Sequence, residues 1–359
     1  MRLGLIVYEP SDMVSGGYLY DSLLVKHLRA VGETVDIVRL PWGSYRKSLR
    51  QNNDGEIRHR LADLSIDILL QDELCHPSLY RLNHWLKPRL EVPIVSIIHH
   101  LRSSEPQPAL SLLLYRIVER SYLRSVDAFI YNSQTTRQTV ETQIGSTTGI
   151  VAPPSGSRFK GLGEPAIRAR ARQDRPLHIV YLGNVIARKG LDTLLAALSR
   201  LPEGAAYLTA IGSLTVDPTY ARRIRSLVIR RGLKGQVRLT GNLPDADMRS
   251  HLAAADVLCV PSQYEGFGIV YLEGMAFGLP AIGTTSGAAR EIISDGNTGF
   301  LVPPSDPDAL ATRLHSLAID RAHLLRMSLS AHSRFRSWPT WEDSLRSVHA
   351  FLQSLKPSA

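Results

Sequence analysis

The chain has 359 residues, of which 44% are hydrophobic and 21% are charged, and its formal net charge is +9 at pH 7. This length and composition exclude a disordered or fibrous protein and leave room for two hydrophobic cores. Arginine dominates the positive charge, with 35 arginines against 7 lysines. Net charge by itself does not choose among nucleic acid, anionic lipid and nucleotide phosphate as partners.

The sequence predicts a cytoplasmic protein. No stretch approaches 18 consecutive apolar residues, and the apolar run after Met1 is too short, and too soon followed by charge, for a secretory signal. Cys75 and Cys259 lie far apart in apolar surroundings. That spacing predicts buried thiols rather than a disulfide or a cysteine-based metal site.

Apolar, β-branched runs alternate with segments of helical periodicity along most of the chain. Continuous apolar strands separated by helices indicate parallel sheets covered on both faces. The predicted fold is α/β, with two doubly wound domains and ligand sites at the carboxyl ends of the strands, in a cleft between the domains. Strands are predicted at residues 3–8, 34–40, 66–71, 93–99 and 127–132, and again at 177–184, 206–213, 236–242, 256–262, 280–285 and 299–304.

Proline, glycine and charged residues interrupt this alternation between residues 151 and 176. The interruption predicts an N-terminal domain at 1–157, a linker at 158–176 and a second domain at 177–335. Residues 336–359 are expected to form a C-terminal helix, which either covers the second domain or crosses back to the first.

The most informative segment runs from residue 260 to 296, where a predicted strand leads through a glycine-rich loop into a helix. Gly266 and Gly268 free the backbone just before that helix. Unpaired amides and the helix dipole at such a start favour phosphate. Glu265 and Glu273 are eight residues apart, and their carboxylates suit the hydroxyls of a sugar. A glutamate pair at this spacing is by itself common, so the surrounding sequence has to decide its meaning.

Residues 260–304, together with residues 181–198 upstream, resemble the donor-nucleotide domain of glycosyltransferase family 4. The glutamate pair, "EGFG", "GLPAIGTTSGAAREII" and "GFLVPP" stand in the order and spacing of that family. The resemblance is strong from about residue 177 to 304 and looser before it. It implies the GT-B architecture, in which two Rossmann-like domains face each other.

The resemblance also implies roles for individual residues. Glu265 would contact the donor sugar, Glu273 would hold the ribose, and Lys189 would neutralise the leaving diphosphate. Backbone amides of the following loop would meet the diphosphate: Gly266, Phe267, Gly268 and Ile269.

One position departs from the family pattern. Asn184 follows Gly183 where the family has an arginine, so a cation that stabilises the leaving group is missing. Either Arg188 supplies that charge from another direction or Asn184 donates a neutral hydrogen bond. The loops after two later strands, which include Gly241 and Leu243, are expected to border the nucleotide base.

In the first domain, Ser15, Gly16 and Gly17 follow the first predicted strand, where the family loop lies near the donor phosphate and the acceptor. His99 and His100 end another predicted strand. The resemblance places a histidine here beside the reacting sugar, and His99 fits that position better than His100.

Other motifs have simpler interpretations. Asn132 and Ser133 precede a helix and are expected to cap it. Asp245 and Asp247 form an Asp-x-Asp pair, which holds a metal in other glycosyltransferases. Because this pair opens a predicted helix, capping explains it better, and no metal site is expected.

Together with the resemblance, these features predict a metal-independent hexosyltransferase that needs no cofactor and takes its sugar from a nucleotide diphosphate. The resemblance implies that transfer retains the anomeric configuration and that UDP is the first choice of nucleotide. The acceptor would be a glycan, a lipid-linked molecule or a small molecule, and no nucleic acid is expected. The basic segment at 44–60 suggests peripheral contact with an anionic membrane on its cytoplasmic face. The alternatives are a nucleotide-sugar epimerase-like enzyme and a non-catalytic binding subunit.

Overall fold

The computed structural model describes residues 1–9 and 16–356. The chain divides into two compact units, the first formed by Met1–Pro154 with Trp341–Ala359 and the second by Ser155–Thr340. Ser15, named above with its glycine neighbours, lies outside the described residues.

The first unit is a parallel sheet with helices around it. Its strands are β1 (Arg2–Tyr8), β2 (Thr34–Leu40), β3 (Ile68–Asp72), β4 (Ile94–Ile98), β5 (Ala128–Tyr131) and β6 (Gly149–Val151). Its helices up to residue 144 are α1 (Gly16–Ala30), α2 (Tyr45–Gln51), α3 (Gly55–Ala62), α4 (His76–Leu79), α5 (Leu82–Leu90), α6 (Ala109–Leu123) and α7 (Gln134–Ile144). The strand order is β2-β1-β3-β4-β5-β6, so the direction of winding reverses between β1 and β3.

The second unit repeats this architecture. Its strands are β7 (Leu177–Leu182), β8 (Ala206–Ile211), β9 (Val237–Gly241), β10 (Val257–Cys259), β11 (Ala281–Thr284) and β12 (Gly299–Val302). Its helices are α8 (Glu164–Ala171), α9 (Leu191–Leu198), α10 (Pro218–Arg230), α11 (Asp245–Ala254), α12 (Ile269–Ala276), α13 (Ala289–Ile292), α14 (Pro307–Ile319) and α15 (Arg321–Arg336). The order β12-β11-β10-β7-β8-β9 reverses between β7 and β10. All paired strands are parallel.

Both sheets are built around strands whose residues are buried. Every residue of β3, β4 and β7 is buried, as the continuous apolar runs predicted for strands covered on both faces. The predicted class, two doubly wound α/β units, is therefore confirmed. Ser133 accepts a hydrogen bond from the Thr136 amide at 3.0 Å and caps α7 as predicted, whereas Asn132 accepts a hydrogen bond from the Thr136 hydroxyl and is not the cap.

The C-terminal helix α16 (Trp341–Leu355) belongs to the first unit. Its Leu345, Val348 and Leu352 are buried against the core that α1 covers. No helix of the described residues is both long enough and apolar enough to cross a membrane.

The segment 158–176 does not form the predicted linker. It belongs to the second unit and contains α8, with Ile167 and Ala171 buried. The guanidinium of Arg170, which is also buried, donates hydrogen bonds to the carbonyls of Phe277 and Gly278, each at 2.9 Å. The dense charge of this segment concealed its helix, because one buried arginine serves as a partner for backbone oxygens rather than as a solvated group.

Candidate functional site

The winding of the second unit reverses between β7 and β10, and open α/β sheets bind ligands beyond the carboxyl ends of strands at such a point. Gly183 follows β7 there, and Ser262 and Glu265 lie in the loop that follows β10. A short 3₁₀ turn, Ala187–Lys189, carries Lys189 to the same edge of the sheet. The predicted donor residues thus come from two chain segments that the sheet topology brings together.

Lys189 and Glu265 form a nearly buried ion pair, with Nζ 2.6 Å from Oε2. The Ser262 hydroxyl donates a second hydrogen bond to Oε2 at 3.0 Å. Burial alone would raise the pKa of Glu265, but the charges of Lys189 and Arg188 and these hydrogen bonds outweigh burial and hold the pKa below its usual range. The site therefore keeps a fixed carboxylate beside a lysine ammonium at neutral pH.

The loop after Glu265 is shaped by glycine. Gly268 has φ of +97°, and a Cβ there would lie 2.5 Å from the Tyr271 ring, so this position requires glycine. The carbonyl of Glu265 accepts a hydrogen bond from the Ala288 amide at 2.9 Å, which fixes the start of the loop. Gly268 is the N-cap of α12, and within the described residues no side chain caps this helix start. Gly266, Phe267 and Ile269 lie at the same helix start, whose amides and dipole suit a phosphate.

Glu273 lies within α12 and is buried. Burial raises its pKa to about 7, while the charge of Arg158 opposes that rise and the charge of Asp245 adds to it. Within the described residues no hydrogen bond is made to the Glu273 carboxylate. The two glutamates thus have separate environments: Glu265 is paired with Lys189, whereas Glu273 titrates near neutral pH.

The contacts of Arg158 and Asp245 differ from two predictions made from the sequence. Arg158, placed there in a linker, donates to the Asp245 carboxylate at 2.5 Å, and the pair lies near enough to Glu273 to shift its pKa. Asp245 does not cap α11: Pro244 is the N-cap, and the aspartate, as the first helical residue, turns its carboxylate to Arg158.

The remaining donor candidates lie along the same edge. Arg188 donates a hydrogen bond to the Tyr264 carbonyl at 2.9 Å, and its charge lowers the pKa of Glu265. Arg188 therefore supplies positive charge to the site, where Asn184 stands in place of the family's arginine. The Asn184 carbonyl accepts a hydrogen bond from the Tyr181 hydroxyl. Gly241 ends β9 with φ of +74°, and Leu243 follows it half-buried.

In the first unit, His99 follows β4, and its Nε2 lies 3.1 Å from the Asp21 carboxylate on α1. Burial opposes charge on this imidazole, but Asp21, with Asp72 and Glu73 adding to it, raises the pKa of His99 to about 9. Burial and the charge of Asp21 raise the pKa of Asp72. His99 is therefore an imidazolium at neutral pH, which donates hydrogen bonds and does not act as a base.

Gly17 packs directly against His99, since a Cβ at this position would lie 2.9 Å from its Cδ2. We expect Gly17→Ala to displace the imidazole and lower kcat/KM by about tenfold, as misplaced groups in active sites do. Gly55→Ala is the matched control, because Gly55 also begins a helix of the first unit and a Cβ there has nothing within 4 Å. Steady-state kinetics of both variants measure the difference; equal activities would exclude a role for this contact.

His100 faces a different feature, a cavity of about 180 Å³. Its Nε2 lies 3.1 Å from the Glu105 carboxylate. Aromatic rings and charged groups line the cavity together: Tyr8, Trp42, Tyr45, Glu73, His76 and Arg102. Apolar rings with a few polar groups are typical of a small-molecule site.

Two clusters in the first unit have the donor atoms of metal sites. Their potential ligand atoms lie within 4.8 Å of one another, in Asp21, Asp72 and His99 and in Glu73, His76 and Glu119. The expectation of no metal considered the cysteines and the Asp-x-Asp pair but neither of these clusters, so metal independence stays a prediction.

Sequence reasoning missed Asp21, Asp72 and Arg158. Asp72 could have been found, because it directly follows the strand predicted at 66–71 and His99 ends the strand predicted at 93–99, and the carboxyl ends of neighbouring parallel strands share one edge. Asp21 had no such signal, since it lies on a helix 78 positions from its histidine partner.

Comparison with known proteins follows the same division of the chain. Residues 164–334 match the family model described as glycosyl transferases group 1. A phosphatidyl-myo-inositol mannosyltransferase of Mycobacterium leprae is 30% identical over 342 residues, which cover 88% of this chain and 87% of that protein. The chain belongs to the group 1 glycosyltransferases.

This group 1 glycosyltransferase also resembles a GDP-mannose-dependent alpha-(1-6)-phosphatidylinositol monomannoside mannosyltransferase of Mycolicibacterium smegmatis, at 30% identity over 243 residues. That alignment covers 62% of each protein, so it spans less than two thirds of the relative's length. The solved sucrose-phosphate synthase of Thermosynechococcus elongatus superposes with a TM-score of 0.82 at 23% identity, covering 99% of this chain and 98% of that one. The superposition confirms the GT-B fold expected from the sequence.

Proposed function

We propose that this group 1 glycosyltransferase transfers a sugar, with retention of anomeric configuration, from a nucleoside diphosphate sugar to an acceptor hydroxyl. The nearly buried Lys189–Glu265 pair, at the point where the second sheet reverses, carries this proposal. Such a pair supplies a cation for a leaving phosphate and a fixed acceptor for a sugar hydroxyl.

The chemistry requires the anomeric C–O bond to break while charge accumulates on the departing diphosphate. Lys189, Arg188 and the amides at the start of α12 place positive charge where that diphosphate would lie. The departing phosphate then accepts the proton of the acceptor hydroxyl as the new C–O bond forms on the same face. These protein groups provide the electrostatic stabilisation, so we propose that transfer is metal-independent and needs no cofactor.

For the donor we propose GDP-mannose ahead of a UDP-sugar. The support is the Mycolicibacterium relative, which is named as a GDP-mannose-dependent mannosyltransferase. UDP, the first choice from sequence, is kept as the competing donor.

For the acceptor we propose a glycan, lipid-linked or small-molecule hydroxyl bound in the first unit, where the cavity near His100 offers Trp42 and Tyr45 to a sugar ring. We also propose that transfer takes place at the surface of an anionic membrane.

Thermal shifts with GDP, UDP and ADP test donor binding, because a ligand that binds only the folded state raises Tm. We expect the largest shift in Tm with GDP. If none of the three nucleotides shifts Tm, the donor site is contradicted.

Product analysis with GDP-mannose alone, and then with an acceptor panel, separates transfer from epimerisation. Binding without turnover across the panel would favour the binding-subunit alternative, which Asn184 motivates.

Glu273 gives nucleotide binding a characteristic pH dependence. Its pKa is about 7 in the free protein, and only its ionised form accepts two hydrogen bonds from ribose hydroxyls. Binding therefore releases a proton, and we expect affinity for GDP to fall by about tenfold from pH 8 to pH 6. Isothermal titration calorimetry in buffers of different ionisation enthalpy measures that proton.

Glu273→Gln is the control, because it keeps the shape of the side chain and removes its titration. The remaining pH dependence in this variant belongs to the phosphate of the ligand. If wild type and Glu273→Gln show the same pH dependence, the carboxylate does not hold the ribose. Glu273→Ala should raise the donor KM more than it lowers kcat.

A further inference from the structure

Helix α6 of the first unit exposes an apolar stripe on the side opposite its packed face. The stripe consists of Leu110 (86% exposed), Leu113 (58%), Leu114 (40%) and Ile117 (60%). Their spacing of three and four residues places them on one face of the helix. The packed face buries Val118, Glu119, Tyr122 and Leu123. Helix α6 is therefore apolar on two sides, although one of them faces away from the core.

A row of arginines runs beside this stripe. Arg116, Arg120 and Arg124 are exposed and follow one another at four-residue intervals. At 100° per residue the row lies along one flank of the apolar stripe. The single carboxylate of α6, Glu119, is buried and accepts a hydrogen bond from the Ser103 amide at 3.0 Å. The outward surface of α6 is thus apolar and positive, without exposed negative charge.

Two of these arginines line an open hollow of about 700 Å³. Arg116 and Arg120 share it with hydroxyl groups, among them those of Ser103, Thr139 and Thr142. Guanidinium groups beside hydroxyl donors suit the oxygens of a phosphate.

Helix α2 contacts the packed side of α6. The ring of Tyr45, at its start, lies 4.6 Å from the ring of Tyr115 on α6. Arg46 and Lys47, which follow Tyr45, are exposed. Tyr115 lies on the same face of α6 as Tyr122, so this part of the basic segment 44–60, in which the sequence suggested membrane contact, packs on the opposite side of α6 from the apolar stripe.

We propose that α6 docks the first unit on an anionic phospholipid bilayer. The apolar stripe enters the interface, while Arg116, Arg120 and the hollow between them hold lipid phosphates. This inference specifies the surface for the membrane location in the proposed function and does not depend on donor chemistry. A second copy of the chain fits less well, because two α6 helices packed through their stripes would have no exposed carboxylate to pair with either arginine row.

Sedimentation with vesicles tests the proposal on the full chain. We expect binding to vesicles of phosphatidylcholine mixed with phosphatidylglycerol and little binding to phosphatidylcholine alone. Leu113→Ser with Ile117→Ser should weaken binding by at least about tenfold through lost apolar insertion. Arg116→Gln with Arg120→Gln should weaken it by about thirtyfold, at roughly 1 kcal/mol per arginine, and flatten its dependence on salt.

Ile319→Ser is the matched control, since Ile319 is 70% exposed on α14 of the second unit and should bind as wild type does. Equal binding to both vesicle types, or unchanged binding in both double variants, would overturn the proposal. A different result would also overturn it: the wild type is a dimer in light scattering and binds no vesicles, and Leu113→Ser with Ile117→Ser makes it a monomer. The apolar stripe would then be the contact surface for a second copy of the chain. Thermal shifts with GDP should be unchanged in every variant, which separates a failure of docking from a failure of the donor site.

Discussion

Lys189→Ala is expected to lower turnover at least tenfold, and about 100-fold if its ammonium stabilises the departing diphosphate as a preorganised electrostatic group does. Nζ of Lys189 lies 2.6 Å from Glu265, so the substitution also leaves a nearly buried carboxylate with fewer partners. Initial rates with saturating donor and acceptor measure the loss. Glu265→Ala should lower turnover by more than tenfold as well.

Two substitutions separate the catalytic effect from a general loss of charge. Lys234→Ala removes an exposed lysine of the same unit and should leave the rate unchanged. Lys189→Arg restores the charge but not the compact ammonium, so a partial rescue is expected. Near-normal rates in both Lys189→Ala and Glu265→Ala, with Tm showing folded protein, would refute the proposed site.

Asp21→Asn is expected to remove much of the positive charge of His99 at neutral pH. The aspartate carboxylate, 3.1 Å from the imidazole, is the main group that raises the pKa of His99 to about 9 against the effect of burial. In the variant the pKa should fall to or below its ordinary value, because burial then dominates. Titration of the histidine resonances by NMR measures the change, and kcat should fall with it if the imidazolium takes part in transfer.

The same pair predicts how stability depends on pH. Because folding raises the pKa of His99, its contribution is complete below about pH 6.5 and is lost as pH rises through 9, which amounts to about 3 kcal/mol. The raised pKa of Asp72 also makes the free energy of unfolding decline as pH rises, over a lower pH range than that of His99. We expect the free energy of unfolding to decline between pH 6.5 and 9, and to decline less in Asp21→Asn. A wild-type stability that is flat over this interval would contradict the raised pKa.

The sequence was sufficient for those parts of the site that depend on local order. Apolar runs predicted the strands, and Glu265, Gly268 and Glu273 could be placed because a strand, a loop and a helix follow one another within a few residues. Lys189 could be placed beside Glu265 only through the family resemblance, but the sheet topology explains why the two meet.

Long-range side-chain contacts were beyond reach. Arg158 meets Asp245 across 87 positions, and Asp21 meets His99 across 78. Neither pair leaves a periodic or spacing signal, because the fold, not the local chain, brings the partners together. Charge density also misled the interpretation of residues 158–176, where α8 has too few apolar residues to show a helical period.

Arg170 has a consequence for dissecting the protein. Its guanidinium satisfies the carbonyls of Phe277 and Gly278 at the end of α12, the helix whose opposite end is proposed to receive the diphosphate. A fragment of the second unit that begins at Leu177 would lack Arg170. It would also expose the apolar surface against which Ile167 is buried. One begun at Ser155 would retain both, and the family model agrees by starting at residue 164, where α8 begins. Autonomous folding of the second unit thus depends on a stretch of chain that lies before its first strand.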